Sequence, residues 1–463
     1  MGHNGPVAVS APGKVLLAGG YLALDRKYTG LVFGLDARIH VLIQDIPTSN
    51  GIVLNEITVN SPQFLDAVWE YGYRLAERDG GIEVTQLRAD ADLNLNRNPF
   101  IETTLSYVLS YVTSLAGPNI TPAAITILAD NDYYSTPADI SNGASSKRRF
   151  HNFAVPLTKA PKTGLGSSAA LVTAVTAALL TYYLPKSKFD LVTSTSKRRL
   201  HNLAQAAHCA AQGKVGSGFD VASAVYGTCL YRRFSPTLLT SHAEPGVPKF
   251  ASEIQDIVEE NHHGLRWDTE IHKDAVKIPK GLRLVMCDVS CGSKTPGMVK
   301  KVLSWRQEKP EEANAIWDDL HSANEALAAE FKNAAEGGSE KGYTKLSECF
   351  TRIRKLIRLM SEKSDVPIEP PAQTELLDAC EKQPGVIGGV VPGAGGYDAI
   401  SLLIEDNPET VAGLEKLLSG WNFKGDGESS ESGGKVSMLG VREEMEGVKA
   451  EDAKTYLQWL KEF

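Results

Sequence analysis

A glycine-rich stretch, Pro161-Lys162-Thr163-Gly164-Leu165-Gly166-Ser167-Ser168-Ala169-Ala170, precedes an apolar run that reaches Leu180. Gly164 and Gly166 permit a tight turn with close backbone approach. Ser167 and Ser168 fall where a helix begins, a position in which a serine hydroxyl caps an orphan N–H. A glycine loop feeding a helix presents converging N–H groups and the positive end of the helix dipole, which suits a phosphate. The same letters also fit a plain turn between a strand and a core helix. The doubled serine and a further glycine-rich turn far downstream, Pro392-Gly-Ala-Gly-Gly-Tyr-Asp398, weigh toward phosphate.

Two charged residues stand beside such turns. Lys14 follows Ala11-Pro12-Gly13. It is either a solvated edge residue or a cation aimed at a phosphate or a catalytic carboxylate. Asp220 closes Gly213-Lys-Val-Gly-Ser-Gly-Phe-Asp220 at the mouth of an apolar helix. It is either a helix-start charge favoured by the dipole or a general base. Gly164-x-Gly166-x-x-Ala169 also fits the loose dinucleotide fingerprint, with Asp190 at the spacing of a ribose-binding acid. Pro161 before the loop and an opening that reads as a β-meander speak against that fingerprint. No Gly-Lys-Ser/Thr follows Gly164, so this is not a Walker A loop. A nucleoside-triphosphate loop of another design remains, with a serine hydroxyl on Mg2+ and Asp220 near the acceptor.

The elements that must position these residues belong to a large chain. Its 463 residues, 42% of them hydrophobic, are enough for two large domains or paired lobes. A net charge of −8 argues against a general nucleic-acid or membrane surface, while a local basic pocket for an anionic small molecule stays open. Cys209, Cys229, Cys287, Cys291, Cys349 and Cys380 form no CxxC pair, so free thiols in a reducing compartment are expected. His201 and His208 share a helix face without a third ligand at useful spacing, and no metal site is expected there. No signal-peptide core or membrane-length run is found, and a cytoplasmic protein is expected.

The hydrophobic pattern predicts a β-meander over residues 7–45, with a turn at Ala11-Pro-Gly13, and strands at 52–59 and 82–88. Asn98-Pro99 starts a helix that ends at Gly117, and a strand follows at Ala124–Ala129. Residues 131–152 read as a polar loop in which Lys147-Arg148-Arg149 is a solvated patch. Helices follow at the apolar run and at Lys197–Gln212, then a strand at Thr228–Phe234. Residues 235–278 read as an irregular connection. A strand at Leu282–Val289, a turn at Ser290–Gly297 leading into a helix, helices near 311–333 and 341–362, and a linker at Glu369-Pro-Pro371 come next. A helix from Gln373, two strands flanking Pro392–Asp398 and a helix at Pro408–Ser419 indicate an α+β sandwich. Gly425–Gly434 reads as low-complexity and disordered.

Ala11-Pro-Gly-Lys14, Gly164-Leu-Gly-Ser-Ser-Ala169 and Gly393-Ala-Gly-Gly396 resemble the three ordered motifs of the GHMP kinases. Ala18-Gly-Gly-Tyr-Leu-Ala-Leu-Asp25, Pro161–Ser168, Gln212–Asp220 and Pro392–Ala399 are similar to the fungal-type phosphomevalonate kinases within that superfamily. Mevalonate kinases usually carry Gly-Glu-His where this chain has Gly19-Gly20-Tyr21. The resemblance covers residues 7–234 and 282–441.

It implies a two-lobed α+β fold: an N-terminal β/α lobe over 1–234 with the phosphate loop, a connecting segment over 235–280, and a C-terminal ferredoxin-like lobe over 281–463. It implies ATP-dependent phosphorylation of 5-phosphomevalonate to 5-diphosphomevalonate, with Mg2+; the net charge adds the expectation of no nucleic-acid or membrane partner. Pro161, Gly164, Leu165, Gly166, Ser167, Ser168 and Ala169 would bind ATP, and Ser168 would help hold Mg2+. Gly393, Gly395 and Gly396 would pack beside that loop. Lys14 and Asp220 would be catalytic, and Tyr21, Lys162, Ser217, Ser293 and Thr295 would lie near the acceptor. Another GHMP small-molecule kinase, or a nucleotide-binding sensor without activity, are the alternatives.

Overall fold

The opening strand β1 (Val7–Ala18) runs straight through Ala11-Pro12-Gly13, where the sequence predicts a turn. Its pairing with β2 (Thr29–Asp45) shifts register between Pro12 and Gly13. Proline has no N–H to give to a ladder, so a bulge is where a strand tolerates it. Lys14 therefore sits within a strand and not at a turn. The computed structural model describes residues 5–46, 54–87, 97–135, 149–261, 266–289, 295–337, 343–423 and 435–462.

The first sheet continues with β3 (Glu56–Asn60), β4 (Val68–Leu75), β5 (Ile82–Gln86) and β6 (Ala123–Ala129). β4 is absent from the sequence reading. Helix α1 (Pro99–Ala116) lies between β5 and β6, with Asn98 capping Ile101 N–H and Pro99 at its first position. Then come α2 (Ser167–Tyr183), α3 (Ser194–Gln212), α4 (Phe219–Tyr226) and β7 (Cys229–Arg232). Thirteen of the seventeen residues of α2 are buried, so the helix is fixed in the core and its first turn is held still. It packs on β1 and β2 and against α1, α3 and α4.

The expected irregular connection at 235–278 contains helix α5 (Phe250–Glu259) and strand β8 (Glu270–His272), which pairs with β7. The strong apolar stripe of α5 (Phe250, Ile254, Ile257, Val258) is buried, and helical periodicity there was masked by the charged residues between.

The second sheet starts with β9 (Leu282–Val289). Helices α6 (Thr295–Glu308), α7 (Pro310–Ala335), α8 (Thr344–Ser364) and α9 (Pro371–Glu381) follow, then β10 (Val386–Val390), β11 (Ala399–Glu405), α10 (Pro408–Ser419) and β12 (Val436–Met438). The strand order is β10-β11-β9-β12, all antiparallel. Helices separate the first and second strands and the third and fourth, which is the ferredoxin-like pattern.

The chain then returns to the first sheet. β13 (Glu443–Glu444) pairs with β2, and β14 (Lys449–Glu451) pairs with β1, giving the order β14-β1-β2-β6-β3-β4-β5. Helix α11 (Ala453–Trp459) covers that edge, with the Tyr456 hydroxyl 2.6 Å from His40 Nδ1. Residues 443–462, expected in the second lobe, are thus built onto the first. The glycine/serine stretch at 425–434 lies outside the described residues.

Glu369, read from sequence as part of a linker, is buried. Arg354 Nη2 and Arg358 Nη1 each reach its Oε1 at 2.8 Å. Two prolines beside a glutamate look like a spacer in sequence, but the partner arginines lie on α8. Arg354→Ala would leave this carboxylate buried with one partner fewer. We expect a stability loss of about 3–5 kcal/mol, read as a lowered denaturant midpoint; an unchanged midpoint would contradict a structural role for the pair.

Candidate active site

The phosphate-type loop ends in two left-handed glycines. Gly164 and Gly166 have φ of 78° and 77°, which an L side chain adopts only with strain. Gly166 itself takes the cap position of α2, with no side-chain cap bond. Ser167 and Ser168 are therefore the first two helical residues and not caps, contrary to the sequence expectation. Among the described residues, no acceptor takes the N–H groups from Gly164 to Ala169. These donors lie at the positive end of a buried helix, free for an anion.

Lys14 is built into this loop from β1. Its backbone N–H donates to Leu165 O at 2.9 Å, and its Nζ reaches Gly164 O at 3.3 Å. A Cβ on Gly166 would stand 2.7 Å from Lys14 Cε. The loop glycine thus makes room for the lysine as well as for the turn. Lys14 Nζ also lies 5.7 Å from the centroid of the Phe219 ring. Burial pushes the Lys14 ammonium below its ordinary range, and the charge of Asp220 works in the opposite direction. The charges of the two residues called catalytic from sequence thus act on one another.

Asp220 lies in the first turn of α4. Between it and the loop stands His208, whose side chain is 3% exposed. His208 Nε2 is 3.1 Å from Ser168 Oγ, 3.2 Å from Gln212 Nε2 and 4.0 Å from Asp220 Oδ2. The ring stacks on Phe100, with centroids 5.7 Å apart. Sequence reasoning considered this histidine only as a metal ligand. Among the described residues no group of three His, Cys, Asp or Glu gathers to hold a metal. Its contacts instead orient Ser168 relative to Asp220. We expect His208→Phe to lower kcat about tenfold while His208→Gln, which keeps a polar atom toward Ser168, retains most of it. Equal loss in both variants would contradict an orienting role.

Three cavities meet this cluster. One of about 180 Å³ has walls from Phe64, Trp69, Asn98, Phe100 and Tyr134 and opens on Ser167 and Ser168. One of about 700 Å³ is lined by Asp220, His208, Ser217 and Lys214 from the first lobe and by Lys300 and Ser304 from α6. A third of about 530 Å³ runs between Lys14 and the Pro392–Gly395 turn. Lys162 lines the first and third cavities. Ser217 lines the cavity that holds Asp220. Ser293 and Arg148 lie outside the described residues, as does the side chain of Thr295.

The third glycine motif keeps its three glycine amides for the protein's own carbonyls. Gly393 N–H donates to Leu16 O, Gly395 N–H to Pro392 O and Gly396 N–H to Ile368 O. The motif instead clamps the turn after β1. The Tyr21 hydroxyl donates to Ala394 O at 2.7 Å, and a Cβ on Gly20 would fall 2.1 Å from Gly393 O. Tyr21 is buried, at φ 43°, and supports this turn. Pro161 O accepts Ser135 N–H, which ties the start of the phosphate loop to the end of the 131–135 segment.

A glycine loop opening a buried helix, a strand lysine on that loop and an aspartate at a second helix mouth, carried on a ferredoxin-like second lobe, make up a GHMP-type small-molecule kinase site. The model for the GHMP kinases N terminal domain matches residues 147–228, and that for the GHMP kinases C terminal matches 344–418. The phosphomevalonate kinase of Gibberella zeae is 53% identical over 98% of both chains, and that of Aspergillus fumigatus 48% identical over 98% of both. The chain belongs to the phosphomevalonate kinase family. Among solved structures, a Listeria innocua protein, Lin0012, aligns with a TM-score of 0.66 at 18% identity, covering 96% of this chain and 99% of its own. Streptococcus pneumoniae phosphomevalonate kinase in complex with phosphomevalonate and AMPPNP aligns at 0.55 and 17% identity, covering 89% and 95%. At these identities the structures speak for the fold.

Proposed function

We infer that this chain transfers the γ-phosphoryl group of ATP to the phosphate of 5-phosphomevalonate, giving 5-diphosphomevalonate and ADP. The observation that carries the reading is a phosphate loop with free amides onto which Lys14 is built, beside the cavity that Asp220 lines, in a chain of this family. The aromatic cavity beside Ser168 is apolar enough for a purine, and its mouth opens on the loop that would take the triphosphate. Mg2+ keeps most of its waters and takes one or two protein ligands besides phosphate oxygens. The Ser168 hydroxyl, oriented by His208, suits that place, and the ion would neutralise charge on the triphosphate.

The protein's part is positioning and charge stabilisation. The loop amides hold the triphosphate, and Lys14 faces the charge that builds on the transferred group. An acceptor phosphate oxygen forms the new P–O bond while the bond to the ADP β-phosphate oxygen breaks. A phosphate monoester has its second pKa near 6 and is mostly dianionic at pH 7, so it has no proton to lose. Where the acceptor enters as the monoanion, Asp220 takes the proton. Among the described residues no helix is long and apolar enough to cross a membrane. Five of the cysteines are free in the structure, which suits a reducing compartment, and we place the activity in the cytoplasm.

The test is ADP release with Mg2+ and ATP, comparing 5-phosphomevalonate with mevalonate. Turnover with 5-phosphomevalonate alone is expected. Turnover with mevalonate alone would move the chain to an alcohol-phosphorylating activity, and ATP binding without turnover on either would indicate a sensor.

A further inference from the structure

We propose that Lys214 and Lys300, one from each lobe, together grip the acceptor's phosphate and restrict the enzyme to a phosphorylated acceptor. The proposal rests on the reading of the site given above.

Lys214 and Lys300 both line the cavity of about 700 Å³ that contains Asp220. Lys214 is held by the turn that closes α3. Gly213 adopts the left-handed cap conformation, and the Lys214 N–H donates to Cys209 O at 3.2 Å. The lysine thus leaves the helix at a fixed point, six residues before Asp220. Lys300 comes from the other wall. On α6, Lys300, Ser304 and Gln307 are spaced four and three apart, so they share one helix face, and all three line the cavity.

That face is locked in rotation by a residue that lies off it. Arg306 reaches Asp25 at 2.8 Å and Asn314 Oδ1 at 2.8 Å, and its guanidinium stands 3.8 Å from the Trp317 ring centroid. Asp25 belongs to the first lobe, in the turn that follows Tyr21. The Arg306 contacts therefore tie α6 to that lobe and hold the helix face that carries Lys300 on the cavity that Asp220 also lines.

Charge makes the pair informative. Among the described residues neither Lys214 nor Lys300 has an ion-pair partner, and Asp220 is the only carboxylate lining this cavity. Two exposed ammonium groups without ion-pair partners, lining one half-open cavity, suit a ligand carrying more than one negative charge. A phosphate monoester offers three acceptor oxygens, of which only one attacks. The other two are left for cations from opposite walls. An acceptor with a hydroxyl in place of the phosphate gives those lysines nothing to bind, so discrimination follows from the attraction that only a phosphorylated acceptor gains.

The experiment uses the full chain and begins with wild-type turnover of 5-phosphomevalonate. Failure at that step would count against the functional reading itself, before the lysines are tested. Lys214→Met and Lys300→Met are then compared with Lys214→Arg and Lys300→Arg. Each methionine variant is expected to raise the KM for 5-phosphomevalonate about tenfold to hundredfold with the KM for ATP unchanged. The arginine variants, which keep the charge, should recover most of the loss. Inorganic phosphate, as a competitive inhibitor against the acceptor, should weaken by a similar factor in each methionine variant. A raised acceptor KM with unchanged inhibition by inorganic phosphate would mean that the lysines bind the acceptor's carboxylate, and the proposal fails. An unchanged acceptor KM in both methionine variants would also overturn it.

Discussion

Lys14→Ala is expected to cost about a thousandfold in kcat, and Asp220→Asn only about ten- to a hundredfold. The ordering follows from the acceptor. An alcohol must give up its proton as it attacks, which makes a base indispensable. A phosphate monoester is already ionised at neutral pH, so the difficulty lies in bringing anions together, and a cation matters more than a base. Lys14 has the position for this, fixed to the loop through Leu165 O and Gly164 O. Steady-state kcat of both variants at saturating substrates decides the point. A dead Asp220→Asn beside a largely active Lys14→Ala would make Asp220 an obligatory base.

The same pair sets a pH dependence. Burial lowers the Lys14 pKa, and the Asp220 charge raises it. Removing that charge in Asp220→Asn leaves the effect of burial uncompensated, so Lys14 loses its proton at a lower pH. The active form is the protonated one, present below the Lys14 pKa and lost as pH rises through it. The alkaline limb of the kcat profile should therefore move to lower pH in Asp220→Asn, by about one unit or more. A limb that stays in place would show that Lys14 does not govern it.

Gly20→Ala is expected to have the second large effect. Its new methyl would meet Gly393 O at 2.1 Å. The methyl carbon is fixed by the backbone of Gly20 and meets a backbone oxygen, so no rotamer change relieves the contact. The turn after β1 and the third glycine motif would separate, breaking the Tyr21–Ala394 bond and the Gly393–Leu16 bond that hold them. We expect near-complete loss of turnover, with a lower thermal midpoint reflecting overpacking of about 1–3 kcal/mol. Wild-type activity in Gly20→Ala would show that the junction of these two motifs is not needed.

The parts of the site that the sequence made legible are those whose signal is local. Glycines at 164, 166 and 218 mark left-handed positions, and an apolar run behind a glycine loop marks a buried helix. The alternating strand and helix patterns indicate no more than an α+β sandwich, and the ferredoxin-like order is implied by the family resemblance and seen in the second sheet. What stayed hidden depends on contacts distant in sequence. His208 meets Ser168 across forty residues, and nothing in its own helix distinguishes it from His201, which packs against Tyr226 and Trp267. Lys300 belongs to an ordinary charged helix until α6 is laid against the first lobe. Ala11-Pro-Gly13 reads as a turn because both residue types favour turns, yet the neighbouring strand accommodates them with a bulge. β13 and β14 are too short for periodicity to reveal, and only their pairing with β2 and β1 identifies them.

The most direct measurement is 31P NMR of the product formed from 5-phosphomevalonate, ATP and Mg2+. Two mutually coupled resonances of a new diphosphate ester are expected to grow at the expense of the monoester signal, in step with ADP. A monoester signal that persists unchanged while inorganic phosphate accumulates would contradict this expectation, because the γ-phosphoryl group would then be passing to water and not to the acceptor phosphate.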